Sequence, residues 1–280
     1  MKNQLTKIAS LANIAAYSQE NAANYIDGAP HIKHKFLREL YAKELIQVYS
    51  NSLKFTKFPI VLDMGAGEGS VTLPFLELGT HVVAVDLSEF QLKSLREKSK
   101  QYGDRLEIRC QDINQTLNKV DEKFDIIVAN SFLHHLPDYI EILKKVSEKL
   151  NNGGQFFCFQ DPLLYRSMSH VNLIFSNISY YSWRLMKGDL YDGLSRYIRR
   201  KRGVFKEDSY HDNAEYHVVR DGVDQDCIKK FFEDNGFRVK IIKYFSTQNT
   251  FFQRLGTLLK MENTFSLIDQ KDNNSLSKNA

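Results

Sequence analysis

The sequence contains few cysteines and prolines and a single tryptophan. Among its 280 residues there are 3 Cys, 5 Pro and 1 Trp. The cysteines are Cys110, Cys158 and Cys227, and none lies in a Cys-x-x-Cys or Cys/His spacing suited to zinc. This distribution gives no sign of a disulfide framework or a zinc ribbon. Cys110 and Cys158 lie in apolar, strand-like runs, so buried free thiols in a reducing compartment are expected.

Long apolar runs and a large charge of either sign are also absent. No apolar stretch approaches the roughly 20 residues of a membrane-spanning helix. The start, MKNQLTKIASLANIAAY, is interrupted by Lys7 and Asn13 and lacks a convincing cleavage site, so it is interpreted as a helix and not as a signal peptide. The net charge of +4 is too small by itself to indicate a nucleic-acid-binding protein. A cytoplasmic protein is predicted.

The composition is that of a globular protein with a well-buried core, since 42% of the residues are hydrophobic and 26% are charged. From residue 60 onward, short apolar runs alternate with helical patterns. This alternation predicts an α/β fold with a doubly wound, mostly parallel seven-stranded sheet and helices on both faces. Strands are predicted at 60–64, 81–86, 106–112, 124–130, 155–161 and 237–246, with a last one around 250–255. The helices between them are predicted at 70–78, 88–103, 138–150 and 223–236.

Two segments lie outside this alternation and define the predicted domain organisation. Residues 1–59 are expected to form N-terminal helices that act as a lid over the core at 60–161. Residues 162–222 form a long helical and aromatic insertion after the fifth strand, expected to cap a ligand site. Residues 223–268 should complete the core. The polar residues 269–280 are expected to be a disordered tail.

The densest group of glycines follows the first predicted strand. The stretch VLDMGAGEGS, residues 61–70, has Gly65, Gly67 and Gly69 at alternate positions, with acids at Asp63 and Glu68. A dinucleotide site has the spacing GxGxxG and places a pyrophosphate at a helix N-terminus. Carboxylates repel a pyrophosphate, but they suit a ligand that carries ammonium and sulfonium charges. The loop therefore predicts S-adenosylmethionine as the ligand.

Further polar side chains lie at the carboxyl ends of the predicted strands. Asp86 ends the second strand, Asp112 follows the third and Asn130 ends the fourth. Ligands of doubly wound sheets bind beyond the carboxyl ends of the strands, at the switch point beside the first strand. We therefore expect these residues to converge with the glycine loop. A carboxylate is the natural partner for two adjacent ribose hydroxyls.

These stretches resemble the class I S-adenosylmethionine-dependent methyltransferases. The resemblance covers about residues 60–161 and is carried by VLDMGAGEG, VVAVDLS, IRCQDI, FDIIVANSFLHHLPD and LNNGGQFFCFQDP. It implies that Asp86 binds the ribose hydroxyls and Asp112 the adenine amino group. It also implies that the Ile113 backbone meets the ring edge and that the Asn130 carbonyl lies near the ammonium group. The predicted cofactor-binding residues are Asp63, Gly65, Ala66, Gly67, Asp86, Leu87, Asp112, Ile113 and Asn130.

The acceptor site is expected in the two segments outside the core. In the family that the chain resembles, N-terminal helices commonly fold over the cofactor, and the region after strand five often builds the substrate pocket. Aromatic side chains in these segments suit an acceptor with a ring or a chain, although ordinary packing of the same side chains is the alternative. The predicted acceptor-binding residues are Tyr25, His31, Tyr181, Trp183 and Tyr216.

Methyl transfer requires orientation and exclusion of water, and a base only where the acceptor must lose a proton. The segment HDNAEYH, residues 211–217, contains two histidines and a carboxylate, so His211 and His217 are predicted as catalytic bases. A structural loop is the alternative. His134 and His135 are rivals for this role, interpreted first as residues of the cofactor pocket.

The sequence thus predicts a methyltransferase that acts on a small-molecule or lipid-like acceptor, at oxygen rather than elsewhere. One alternative is an RNA methyltransferase that uses the basic stretch 196–206, RYIRRKRGVFK, although the sequence NSFL after strand four lacks the proline-aromatic tetrapeptide of base-amine methylating enzymes. The other is a binding protein without turnover. No metal is expected, because strand four ends in Asn130 and not in an acid, which removes a main ligand of an all-oxygen magnesium site near Asp161.

Overall fold

A seven-stranded sheet forms the centre of the computed structural model, which describes residues 8–13, 29–188, 191, 195, 198–199, 202–205 and 210–271. The strand order is β3-β2-β1-β4-β5-β7-β6. All neighbouring strands are parallel except for the two pairs that β7 forms with β5 and β6. The predicted fold class is confirmed. The strands are β1 (Ile60–Met64), β2 (His81–Asp86), β3 (Leu106–Cys110), β4 (Phe124–Asn130), β5 (Leu150–Pro162), β6 (Phe237–Tyr244) and β7 (Thr264–Lys271).

Helices cover both faces of this sheet. Residues 8–13 are helical, and short 3-10 turns occur at Lys100–Arg105, Leu133–His135 and Tyr165–Ser167. The α-helices are α1 (Pro30–Lys33), α2 (Lys35–Ser52), α3 (Thr72–Glu77), α4 (Glu89–Ser99), α5 (Ile113–Leu117), α6 (Tyr139–Lys149), α7 (His170–Lys187), α8 (Tyr210–Asn213), α9 (Gln225–Asp234) and α10 (Thr250–Leu258). Within the described ranges, no helix is long and apolar enough to cross a bilayer.

The core consists of two apolar layers, one on each face of the sheet. Successive residues of a strand point to opposite faces, so Val61 packs in one layer and its neighbour Leu62 in the other. The layer of Val61 includes Leu37, Tyr41, Leu45 and Val48 of α2, and that of Leu62 includes Val146 of α6 and Phe232 of α9. Burial on both faces explains why the parallel strands are continuous apolar runs in the sequence.

Residues 250–255 differ from the prediction, because they lie in α10 and not in a strand. The side chain of Asn249 accepts hydrogen bonds from the amides of Phe251 at 3.0 Å and of Phe252 at 3.2 Å. This satisfies two amides that a helix N-terminus otherwise leaves unpaired. The aromatic residues indicated a strand, but the capping residue decided the local structure.

The last strand, β7, lies where the sequence predicted no strand. β7 lies between β5 and β6 and ends at Lys271, so residues 269–271 of the predicted disordered tail belong to the sheet. Asp269 is fully buried there, and its Oδ1 accepts a hydrogen bond from the Phe156 amide at 3.0 Å. Residues 272–280 lie outside the described residues.

The predicted insertion begins and ends against the sheet. Leu163 and Val223 form a parallel bridge, and the Val223 amide donates to the Pro162 carbonyl at 3.0 Å. Residues 214–222 are therefore held at the carboxyl end of β5. Of the two thiols expected to be buried, Cys158 is buried and Cys110 is exposed, since Cys110 ends β3 at the edge of the sheet.

Candidate active site

A cavity of about 900 Å³ lies beyond the carboxyl ends of the central strands. This volume is at the upper end of the roughly 300–1,000 Å³ typical of small-molecule sites. Its wall combines the glycine loop after β1, the residues after β2 and β3, the loop after β4 and parts of the N-terminal helices. The predicted cofactor residues that line it are Gly65, Ala66, Gly67, Asp86, Leu87, Asp112, Ile113 and Asn130.

The glycine loop is fixed to the end of β2 by its main chain. The amides of Gly65 and Ala66 both donate to the Val85 carbonyl, at 2.9 and 3.0 Å. Gly65 has φ +76°, and a Cβ added there would lie 2.4 Å from Cδ2 of Phe132. Glycine is therefore required at residue 65, both for its backbone conformation and for the close approach of the Phe132 ring. At Gly65 and Gly67 the loop has no side chain to present, so a ligand can approach its main chain closely.

Asp86 presents a carboxylate at the cavity wall. Its Oδ2 accepts from the Gly67 amide at 2.9 Å, and its Oδ1 accepts from the Ser88 amide at 2.7 Å. Burial raises the pKa of this carboxyl group, and the two amide bonds partly oppose that effect. Each oxygen has further acceptor capacity, so the group can accept hydrogen bonds from a ligand's hydroxyls without losing the amides.

Asp112 occupies the next part of the wall and caps the N-terminus of α5. Its Oδ1 accepts from the amide and the side-chain nitrogen of Asn114 at 2.8 and 3.0 Å. Its Oδ2 accepts from Ser10 Oγ at 3.4 Å, which brings the N-terminal helical residues to the same wall. The arrangement suits an exocyclic amine as a hydrogen-bond donor.

Asp63 does not line the cavity, in contrast to its predicted place among the cofactor residues. It is fully buried beneath the glycine loop, where its Oδ2 accepts from Thr72 Oγ1 at 2.6 Å. Burial raises the pKa of this carboxyl group to about 7, with a smaller contribution from the neighbouring Asp86 and against the opposing effect of the hydrogen bonds from Thr72. The sequence placed Asp63 at the site because it precedes the loop, but alternation along β1 directs its side chain into the protein.

This buried carboxyl group should make stability depend on pH. Because the pKa of Asp63 is about 7 in the folded protein against an ordinary 3.8, the folded state binds more protons between these values. The free energy of unfolding should therefore fall as pH rises from about 4 to about 7, by no more than ~4 kcal/mol. In Asp63→Asn this part of the decline should be absent. Urea unfolding at about pH 5 and about pH 8 measures it, and equal declines in variant and wild type would contradict the assignment.

Two of the predicted acceptor-binding residues, His31 and Tyr216, line the cavity. His31 Nε2 lies 3.2 Å from Asn130 Nδ2, and burial lowers the pKa of His31 to about 4, so its ring is neutral. The Tyr216 ring is covered by the guanidinium of Arg220, at 3.6 Å from the ring centroid. Tyr25 lies outside the described residues.

Tyr181 and Trp183 do not reach the cavity. Both lie on α7, where Tyr181 contributes to a separate, shallow groove with residues such as Ile178 and Leu185. The Trp183 ring is contacted by the side chains of Arg184 and Lys187. The aromatic residues of the insertion were predicted to bind the acceptor, but their spacing along α7 places them away from the sheet edge.

His217 also lies outside the cavity wall, which does not fit its predicted role as a general base. Its Nε2 donates to the Leu136 carbonyl at 2.9 Å, and its amide donates to the His134 carbonyl at 2.8 Å. The ring packs edge-on against Tyr139. These bonds join residues 214–222 to the turn after β4, which is a positioning role. The side chain of His211 lies outside the described residues.

The turn after β4, Leu133–His135, places two histidines at or behind the cavity wall in an arrangement that the sequence did not predict. His135 lines the cavity, and its Nδ1 lies 2.5 Å from the Ala214 carbonyl oxygen. His134 is buried behind it, with Nδ1 2.8 Å from Asp161 Oδ1 and Nε2 3.5 Å from Glu215 Oε2. The segment HHLPD was a visible signal, but its partners come from distant parts of the chain.

Comparisons with known sequences cover part of the chain. Residues 62–156 match a family model described as a methyltransferase domain. The chain is 32% identical over 97 residues to the ubiquinone biosynthesis O-methyltransferases of Idiomarina loihiensis and of Coxiella burnetii. These alignments cover 35% of this chain and 40% and 41% of the two relatives. The chain thus matches less than half the length of these relatives.

Solved structures with a similar fold extend over nearly the whole chain. Magnesium protoporphyrin IX methyltransferase from Synechocystis, with bound S-adenosylmethionine, is 13% identical with a TM-score of 0.52, covering 94% of this chain and 97% of that one. The 1,6-didemethyltoxoflavin-N1-methyltransferase of Burkholderia thailandensis is 14% identical with a TM-score of 0.55, covering 97% and 91%. At these identities the likeness concerns the fold. Residues 62–156 thus match a methyltransferase domain, and the seven-stranded fold around them is the class I, Rossmann-like fold of S-adenosylmethionine-dependent methyltransferases.

Proposed function

We propose that this protein transfers the methyl group of S-adenosylmethionine to an oxygen atom of a small organic or lipid-like acceptor. The observation that carries the proposal is one cavity of about 900 Å³, whose wall joins two chemically different parts. One part holds the glycine loop with the carboxylates of Asp86 and Asp112. The other holds His31, His135 and Tyr216. A cofactor and an acceptor can therefore lie side by side in one cavity.

The residues of the first part fit the chemistry of the cofactor. Asp86 would accept hydrogen bonds from the ribose hydroxyls and Asp112 from the adenine amine, while the glycine loop admits the methionine part. Within the described residues, Asn130 Oδ1 is buried and has no hydrogen-bond partner. A buried acceptor without a partner is costly, and the ammonium group of the cofactor would satisfy it. When bound, the cofactor supplies a methyl group activated by its sulfonium.

The second part of the wall favours a hydroxyl acceptor. An imidazole orients a hydroxyl by hydrogen bonding, and the Tyr216 ring offers an apolar surface to a ring or a chain. In the transfer, the acceptor oxygen forms a bond to the methyl carbon while the carbon–sulfur bond breaks and its electron pair stays on sulfur. The hydroxyl proton passes to solvent. The chain's contribution is to hold the oxygen in line and to exclude water. The curated relatives named as O-methyltransferases support oxygen as the methylated atom.

Product analysis tests this proposal. The purified protein is incubated with S-adenosylmethionine and a panel of phenols, catechols and long-chain hydroxyquinones, together with matched amines and thiols. Mass spectrometry should detect S-adenosylhomocysteine and a methyl ether. Methylation confined to amines, thiols or an added RNA would contradict the proposal, as would cofactor binding without turnover on the whole panel.

Tyr216→Ala should separate acceptor binding from cofactor binding. Loss of a ring that lines the cavity removes binding that is equal in the ground and transition states, so the acceptor KM should rise by about 10-fold with little change in kcat. Trp183→Ala is the matched control, because Trp183 lies on α7 away from the cavity. A similar KM in both variants would remove Tyr216 from the acceptor site.

A further inference from the structure

We infer that His134, His135 and Glu215 form a binding site for a divalent transition-metal ion such as Zn²⁺. Each of these residues offers one ligand atom, and the three atoms lie within 4.8 Å of one another. The distance between His134 Nε2 and Glu215 Oε2 is 3.5 Å. Two ligands at about 2.1 Å from a tetrahedral metal lie roughly 3.4 Å apart, so this pair already has the required separation.

The ligand types select the class of metal. Two imidazoles and one carboxylate suit zinc and its neighbours in the first transition row, whereas Mg²⁺ and Ca²⁺ prefer oxygen ligands. His134 is buried, while the Glu215 side chain is 32% exposed. The site would thus combine one buried ligand with one that solvent reaches.

Both imidazoles are held in the orientation that metal-binding histidines have. A metal-ligating histidine donates its second ring N–H to a carboxylate or a carbonyl, which fixes the ring and its tautomer. His134 Nδ1 lies 2.8 Å from Asp161 Oδ1, and His135 Nδ1 lies 2.5 Å from the Ala214 carbonyl oxygen. Nδ1 is the donor in both cases, so Nε2 of each ring carries the lone pair when that ring is neutral, as metal binding requires.

Asp161 is itself rigidly placed. It is fully buried at the end of β5, and its Oδ1 also accepts from the His134 amide at 3.0 Å. Within the described part of the chain, its Oδ2 has no hydrogen-bond partner. A carboxylate buried in this way gains from a nearby cation. The group Asp161–His134 thus corresponds to the carboxylate–histidine–metal arrangement of zinc sites.

The site borders the cavity at the position proposed for the acceptor. His135 lines the cavity, and so does Tyr216, which follows Glu215 in the chain. Three protein ligands leave a fourth position for water or substrate, as in catalytic zinc sites. If the proposed function holds, an acceptor oxygen would take that position. Metal binding itself is independent of the proposed function.

Metal titration of the whole chain tests the inference. The protein is stripped with a chelator and titrated with Zn²⁺ in a calorimeter and with Co²⁺ followed by visible absorption. One ion per chain should bind, and the Co²⁺ spectrum should show a low-coordinate site with nitrogen ligands. Glu215→Gln and His135→Asn should each weaken binding by more than the about 10- to 100-fold that loss of an outer partner costs.

Controls separate this result from general effects. His81→Asn and Glu148→Gln replace an exposed histidine and an exposed glutamate that lie away from the cavity wall, and both should bind the metal like wild type. Asp161→Asn should weaken binding by about 10- to 100-fold through His134. Circular dichroism and cofactor affinity verify that each variant is folded.

Some outcomes would overturn the inference. In the absence of a metal, a proton on His134 shared between Asp161 and Glu215 explains the same geometry. Then wild type would bind neither ion specifically, or all variants would bind them equally. If methyl transfer persists unchanged after chelation and no metal binds, the metal site is contradicted and the proposed function is not. Stoichiometric metal binding without methyl transfer to any hydroxyl would support the metal site and contradict the proposed function.

Discussion

Asp86→Ala is expected to weaken S-adenosylmethionine binding by at least ~1–3 kcal/mol, which is roughly 5- to 150-fold in Kd. The carboxylate lies at the cavity wall, so its loss would leave the ligand hydroxyls without a charged hydrogen-bond acceptor. The substitution also removes the acceptor of the Gly67 and Ser88 amides. The glycine loop thus also loses the hydrogen bond that holds Gly67 to the end of β2.

Calorimetry with S-adenosylmethionine measures this effect. Asp104→Ala is the matched control, because Asp104 is an exposed acid away from the cavity wall. Asp86→Asn keeps one acceptor oxygen and should lose less affinity than alanine. Unchanged affinity in Asp86→Ala would show that the cofactor does not use this carboxylate.

Gly222→Ala is expected to cause the largest loss of stability at the site, about 2–5 kcal/mol. Gly222 has φ +79°, and a Cβ there would lie 2.0 Å from the Leu163 carbonyl oxygen and 2.8 Å from its carbonyl carbon. These are main-chain atoms of the bridge between Leu163 and Val223. No side-chain rotation can relieve the contact, so the backbone must separate.

Gly188→Ala provides the matched control, since Gly188 has φ +75° but nothing lies within 4 Å of its added Cβ. Gly188→Ala should lower the free energy of unfolding by only about 1 kcal/mol, the cost of a non-glycine residue at a positive φ. Urea unfolding of both variants measures the difference. Equal losses would mean that the contact with Leu163 relaxes without cost.

Gly222→Ala should also affect the acceptor site. The Gly222 amide donates to the His217 carbonyl at 2.8 Å, so Gly222→Ala should misplace Glu215 and Tyr216 and raise the acceptor KM.

The central strands and the cofactor wall could be predicted from the sequence because local patterns specify them. β1, β2 and β4 have the predicted bounds, since a strand buried on both faces is a continuous apolar run. Gly65 and Asp86 follow such runs directly, and parallel strands bring their carboxyl ends together. Each of these residues could be placed from its position relative to one strand.

The C-terminal elements could not be predicted so simply. The aromatic residues after Asn249 suit a strand by propensity, but the capping side chain directs them into α10. Residues 269–271 look like part of a polar tail, and only the pairing of β7 between β5 and β6 buries Asp269. In both places tertiary pairing or a single cap outweighed the average composition.

The sequence by itself determined the parallel strands β1, β2 and β4, the glycine loop and the carboxylates of Asp86 and Asp112, because each depends on residues a few positions apart. Only the tertiary structure decided which side chains lie where the acceptor is proposed to bind. His134 meets Asp161, 27 positions later, and Glu215 joins them through the return of the chain beside β5. The tertiary structure also places Tyr181, Trp183 and His217 away from the cavity wall, where the sequence had predicted them. Contacts between distant segments depend on how whole elements pack, and no local spacing in the sequence encodes which side chains then meet.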